Sequence, residues 1–202
     1  MTKARQILFA ALSGCLILAP ASIRAVQPQS APAAGAKLPL NAVLVLTPQF
    51  CATKFKQGSF WTTGRETFQV GKMSCAELAP ALMPAFAKLT VASAPPANGD
   101  AQLVLIPNFA NAHATTAVLA FSNREMDVLL QWTAKAADGK IVWLQTVQGK
   151  SKHHMGNLFT HAHDVTLVAR DSVKDAAAQS VIKMEAAPEL RKLGSEGASA
   201  AN

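Results

Sequence analysis

The chain has 202 residues, of which half are hydrophobic and 15% are charged, so its composition is that of a globular protein and not of a disordered tail. The formal charge of +7 falls to +4 when Lys3, Arg5 and Arg24, which lie in a segment that we expect to be removed, are left out. That mild excess, with no Tyr and only 3 Trp, argues against a nucleic-acid-binding surface.

The first 25 residues have the three-part pattern of a secretory signal peptide. Lys3 and Arg5 form a positive n-region, and Ile7 to Ala19 is an uninterrupted run of apolar or small residues. This run is too short to span a bilayer, which takes about 20 residues. Because of this pattern, we expect the protein to be exported to the periplasm. Cleavage after Ala25 would make Val26 the mature N-terminus.

A second processing signal lies inside the same run. Residues 12–15 read Leu-Ser-Gly-Cys, which matches the bacterial lipobox, and lipidation of Cys15 would anchor the chain to the envelope. The apolar run continues past Cys15, where a lipoprotein normally turns small and polar. We favour ordinary cleavage and keep lipidation as the alternative, because both imply export.

Composition divides the remaining chain into three parts. Residues 26–40 are rich in Pro and Ala and predict an extended linker, and residues 188–202 predict a disordered tail. Residues 41–187 between them predict a single α/β domain.

Several elements are predicted in the first half of this domain. The apolar run Val43–Leu46 predicts a buried strand, and residues 60–70 suggest a hairpin around Gly64. Ser74 and Glu77 have the spacing of a capping box and predict a helix start, although Pro80 disturbs the helix that follows. Shorter strands are predicted at residues 103–106 and 116–121.

A central hairpin gives the clearest local signal. Residues 127–136 and 141–150 flank Asp138-Gly139, which favours a two-residue type I′ turn. Ala134 then faces Trp143, and one face of the pair carries mainly apolar side chains: Val128, Leu130, Trp132, Trp143 and Val147.

A last helix is predicted over residues 165–186, capped by Asp164 and ended by Pro188. It carries a stripe of mostly small residues suited to packing on a sheet: Ala169, Val173, Ala176, Ala177, Ser180 and Met184. The predicted fold class is α+β, in two layers, with a mixed, mainly antiparallel sheet and two helices packed against it.

This order of elements over residues 40–187 resembles a group of exported envelope domains: the amino-terminal domain of TolB, the curli-secretion lipoprotein CsgG and the LpoB-type activators. The resemblance is one of element order and carries no functional residue across. It implies an accessory or assembly role at the cell envelope, with protein partners and no catalysis.

The histidines are concentrated in one short segment. His153, His154, His161 and His163 are four of the 5 histidines in the chain, and imidazole is a common ligand for Zn, Cu and Ni. On an extended backbone, His161 and His163 would point the same way. The alternative interpretation is a polar loop between the hairpin and the last helix, beside the positive cluster of Lys150 and Lys152.

Cys51 and Cys75 are the thiols that remain after cleavage beyond Cys15. In an oxidising compartment such a pair often forms a disulfide, and a pair of buried free thiols is the other interpretation. A reactive thiol at Cys75 is the least favoured.

Familiar catalytic signatures are missing from the sequence, including the nucleophile elbow, the phosphate loop and the zinc-protease motif. The leading hypothesis is a non-catalytic periplasmic or outer-membrane-associated module that needs no cofactor and binds a protein or envelope component. A periplasmic metal-binding protein that uses the histidine cluster is the alternative, and a small hydrolase is a third. The sequence leaves the oligomeric state and the partner open.

Overall fold

The structure is a computed structural model that describes residues 37–58, 65–97, 101–115, 123–154 and 161–199. The expected signal peptide, Cys15 and most of the expected linker lie outside the described residues. Among those described, no helix combines the length and apolar character needed to cross a membrane.

Five strands form one mixed sheet. They are β1 (Leu38–Val45), β4 (Phe86–Ala92), β5 (Leu103–Ala114), β6 (Asn123–Ala136) and β7 (Ile141–His154), in the spatial order β4-β1-β5-β6-β7. β1 pairs in parallel with β4 and β5, whereas β5, β6 and β7 pair antiparallel. The α+β class and the mixed, mainly antiparallel sheet are confirmed.

The remaining elements within the described ranges are a two-stranded sheet and four helices. β2 (Phe55–Gly58) and β3 (Arg65–Phe68) form an antiparallel pair. The helices are α1 (Pro48–Cys51), α2 (Val70–Leu82), α3 (His161–Ala186) and α4 (Pro188–Ser199), and a short 3-10 turn follows α2. The hairpin predicted around Gly64 is present, but its first strand lies earlier than expected, and Gly64 itself lies outside the described residues.

One face of the main sheet is buried beneath helices. Side chains at alternate positions of β6 are buried, from Val128 to Ala134, and α3 packs on β6 and β7 with α2 beside it. On the opposite face, Leu144 is 57% exposed, while Leu129 and Val142 are half-buried. The face that packs on the helices is the one that the sequence predicts to be mainly apolar.

The register of the central hairpin is confirmed, and its turn is not. Ala134 pairs with Trp143 and Leu130 with Val147, but the register shifts beyond Ala134. The Gly139 N–H donates to the Ala136 carbonyl, and the Ala136 N–H donates to the Lys140 carbonyl. The loop therefore contains three residues, with Gly139 at φ 82° closing it, instead of a two-residue type I′ turn.

Both predicted helix starts are wrong. α2 begins at Val70, so Ser74 and Glu77 lie inside the helix and form no capping box. α3 begins at His161, which places Asp164 in its first turn and not at the cap. The disordered tail is also wrong over Pro188–Ser199, because Pro188 begins α4, whose Leu190 is buried.

The strand predicted at residues 116–121 lies outside the described residues. Its expected place beside β6 is occupied by β5, which continues to Ala114 and pairs with β6 along its length. Asn123 and Arg124, expected in a turn, begin β6.

The small-residue stripe of α3 lies against the sheet as predicted, since all six of its residues are buried. One of them, Ser180, also closes a polar contact in the core. The Trp132 indole N–H donates to Ser180 Oγ over 2.8 Å, and Ser180 Oγ donates to the Ala176 carbonyl over 2.7 Å. The buried N–H of the Trp132 indole thus has a hydrogen-bond acceptor on α3, at a residue 48 positions away in sequence.

Ser180→Ala is expected to lower the free energy of unfolding by about 2 kcal/mol, because the buried indole N–H loses its acceptor. The matched control is Ser74→Ala on α2. Ser74 is also buried, but its hydroxyl has no hydrogen-bond partner among the described residues. This control should leave stability unchanged or raise it by up to about 1 kcal/mol. Denaturant unfolding measures both, and equal losses would contradict the assigned contact.

Candidate functional site

The two cysteines form a disulfide. Cys51 ends α1 and Cys75 lies in α2, and the bond joins residues that are 24 positions apart. The same helices approach closely at Gly71, where a Cβ would lie 2.8 Å from the Cys51 carbonyl oxygen. The bridge and this close approach fix α1 against α2, so the cysteines have a structural role and the alternatives of buried thiols or a reactive Cys75 are set aside.

The histidine segment divides between a strand and a helix. His153 and His154 are adjacent on β7, so their side chains point to opposite faces of the sheet. His153 Nε2 lies 2.8 Å from Asp171 Oδ2, and His154 Nδ1 lies 3.3 Å from Asn123 Oδ1. Each ring of this pair thus has its own polar partner.

His161 and His163 lie in the first turn of α3, and not on the extended backbone that would point them the same way. Their side chains lie outside what the structure describes. Within the described ranges, no group of three or more His, Cys, Asp or Glu residues is placed to hold a metal ion, and metal binding by the cluster stays a prediction.

Zn²⁺ is expected to bind the purified protein no more tightly than about micromolar, with little thermal stabilisation. Three rings would have to converge within about 2.1 Å of one ion. The backbone positions of His153 and His154 oppose such convergence. Calorimetric titration measures the affinity, and nanomolar binding that His161→Ala abolishes would make metal handling the leading function.

The positive cluster at Lys150 and Lys152 belongs to strand β7, not to a loop. Lys152 Nζ lies 2.7 Å from Glu125 Oε1, and Lys150 is opposite Asp127 on the neighbouring strand. The hydrogen bond and the charge of Lys152 lower the pKa of Glu125. Acidic neighbours therefore balance the cluster, which weakens the case for an anionic surface binding there.

A groove that the sequence does not predict lies between α2 and α3. We call it the α2–α3 groove; its volume is about 420 Å³, within the range of about 300–1,000 Å³ that ligand pockets occupy. Side chains from three elements form its apolar lining: Phe68 of β3, Met73 and Ala76 of α2, and Ala169 of α3.

Charged residues stand at the rim of the α2–α3 groove. Arg170 Nε donates to Glu77 Oε1 over 2.9 Å, which ties α3 to α2 across the opening. The two terminal amino groups of Arg170 have no hydrogen-bond partner among the described residues, and Lys72, also on the rim, makes no ion pair with any of them. The rim thus carries two cations, Arg170 and Lys72, and one carboxylate, Glu77, which is paired with Arg170.

The fold is shared with a solved bacterial protein. A Xanthomonas campestris protein of the DUF330 family superposes with a TM-score of 0.53 at 8% identity, over 82% of this chain and 90% of that chain. A minor lipoprotein from Acinetobacter baumannii superposes with a TM-score of 0.47 at 10% identity, over 75% of this chain and 93% of that chain. No protein-family model and no curated protein matches the sequence. The resemblance to TolB, CsgG and LpoB-type domains stays a prediction.

Proposed function

We propose that the chain is an exported, non-catalytic accessory module of the bacterial cell envelope that binds a protein or an envelope component. The observation that carries this proposal is the Cys51–Cys75 disulfide. Such bonds persist in oxidising compartments such as the periplasm and are rare in the reducing cytosol. The signal-peptide pattern at residues 1–25 points independently to the same compartment.

The described carboxylates support a binding role over a catalytic one, because most have structural partners. Asp171 binds His153, and Asp175 Oδ2 accepts the backbone N–H of Lys150. Glu77 and Glu125 pair with Arg170 and Lys152. A general acid or base needs a carboxyl group that is free to exchange a proton with a substrate.

Leu16→Asp combined with Leu18→Asp tests export directly. Two charges in the apolar run should block translocation, so the precursor should stay in the cytoplasm with Cys51 and Cys75 reduced. Cell fractionation and thiol alkylation measure both outcomes.

The matched control is Ala33→Asp combined with Ala34→Asp, which places the same charges in the expected linker. This variant should be exported and oxidised normally. Periplasmic delivery of the Leu16/Leu18 variant would refute the signal peptide.

A further inference from the structure

We propose that the α2–α3 groove binds an amphiphile with one acyl chain and an anionic headgroup, a carboxylate or a phosphate. The proposal deepens the accessory role proposed above by naming a class of ligand. It rests on that role only in taking the cell envelope as the source of the ligand. Binding itself is a property of the folded chain and is tested apart from export.

The lining of the groove suits an acyl chain. Phe68 and Ala169 are buried, Met73 is half-buried, and Ala76 is exposed on the wall. Methylene groups that enter this space leave water for apolar surface, and this transfer is favourable. Small side chains at Ala76 and Ala169 keep the space between the two helices open.

The rim selects the charge of the headgroup. Glu77 holds Arg170 by its Nε, and this contact leaves the terminal amino groups of Arg170 to donate to a ligand. Lys72 adds a second cation at the rim. Hydrogen bonds from a guanidinium to a carboxylate or phosphate are short and strong, whereas a cationic headgroup would be repelled.

A peptide fits the groove less well than an acyl chain does. The two helices offer side chains and not backbone groups, because their backbone hydrogen bonds are made internally. β3 contributes only Thr67 and Phe68, too few for a peptide to pair as an added strand.

The test is calorimetric titration of the protein, purified from cells that process it, with decanoate and decyl phosphate below their micelle concentrations. Both anions should bind, and decylammonium and acetate should bind at least about tenfold more weakly, because one has the wrong charge and the other has no chain. Comparing the two anions shows which headgroup the rim prefers. Decylammonium binding as tightly as decanoate would overturn the proposal.

Variants locate the binding. Arg170→Gln should weaken decanoate binding about tenfold through the loss of a charge-assisted hydrogen bond, and Ala76→Trp should abolish it by filling the groove. Lys174→Gln is the matched control, because it removes a charge from α3 outside the groove and should leave the affinity unchanged. Circular dichroism checks that each variant is folded. Normal binding by the Ala76→Trp variant, or binding of an acidic apolar peptide but not of decanoate, would refute the acyl-chain assignment.

Discussion

Gly149→Ala is expected to lower the free energy of unfolding by about 3 kcal/mol, at the upper end of the usual cost of overpacking. A Cβ at this position in β7 would lie 2.6 Å from the Ala176 Cβ of α3, and closer still to the Ser172 carbonyl oxygen and the Ala176 nitrogen. Two of these three atoms belong to the helix backbone. No side-chain rotation can make room, so α3 must move away from the sheet.

Movement of α3 would also stretch the polar contacts that hold it to the end of β7. Ser172 Oγ donates to the Gly149 carbonyl over 3.1 Å, and Ser151 Oγ donates to the Val168 carbonyl over 2.6 Å. The backbone N–H of Lys150 donates to the Asp175 carboxylate over 2.8 Å. The Gly149 carbonyl and the Lys150 N–H, which belong to the edge strand β7, thus both have hydrogen-bond partners on α3.

Denaturant unfolding measures the effect, and Gly139→Ala is the matched control. Gly139 has a positive φ of 82°, but a Cβ added there would meet no atom within 4 Å, so its replacement should cost only about 1–2 kcal/mol, from backbone strain. If Gly149→Ala cost no more than Gly139→Ala, the close contact between α3 and β7 would be wrong.

Removal of the disulfide by Cys51→Ala with Cys75→Ala should cost about 3 kcal/mol. The bond closes a loop between residues 24 positions apart, and the loss of unfolded-state entropy on closing a loop of this size has about that value. The double variant would also lose the covalent bond between α1 and α2, although Gly71 would still allow the two helices to pack closely.

Reductant provides the control for this prediction. It should lower the unfolding midpoint of the unaltered protein toward that of the double variant and leave the double variant unchanged. If reductant had no effect on the unaltered protein, and two thiols reacted when it was denatured without reductant, the disulfide would be absent.

The sequence predicts best those features that depend on local chemistry and strict periodicity. The pairing of Ala134 with Trp143 is predicted from a two-residue turn, and it is correct because the register shift beyond Ala134 compensates for the third loop residue. Alternation along β6 correctly places Trp132 on the buried face. The stripe on α3 is found for the same reason. The disulfide is one of three interpretations that residue counting leaves open, and the fold is needed to bring the two cysteines together.

The sequence predicts helix ends poorly, because tertiary contacts outweigh capping signals. α2 begins at Val70 without a side-chain cap, since Val70 and Gly71 are buried and the Gly71 N–H donates to the Thr53 carbonyl. Pro188 suggests a helix terminator, although proline is equally suited to the first position of a helix. Gly149 does carry a usable signal, because glycine inside a strand often marks the close approach of another backbone.

The candidate site could not be read from local sequence. Lys72 and Arg170 are nearly a hundred residues apart and meet at one groove only because α2 packs beside α3. The histidines, which are neighbours in sequence, are instead divided between a strand and a helix. Proximity along the chain is thus a poor guide to the candidate site.

The central claim is that this chain works outside the cytoplasm as a processed, disulfide-linked module. Its most direct test is the intact mass of the protein isolated from bacterial cells, measured before and after reduction. The account predicts a chain that begins at Val26 and gains the mass of two hydrogens when the Cys51–Cys75 bond is reduced. A chain that begins at Cys15 and carries the mass of acyl groups would still support export. It would show that Cys15 is lipidated and that the chain is not cleaved after Ala25. An unprocessed chain that begins at Met1, with its cysteines already reduced, would contradict it.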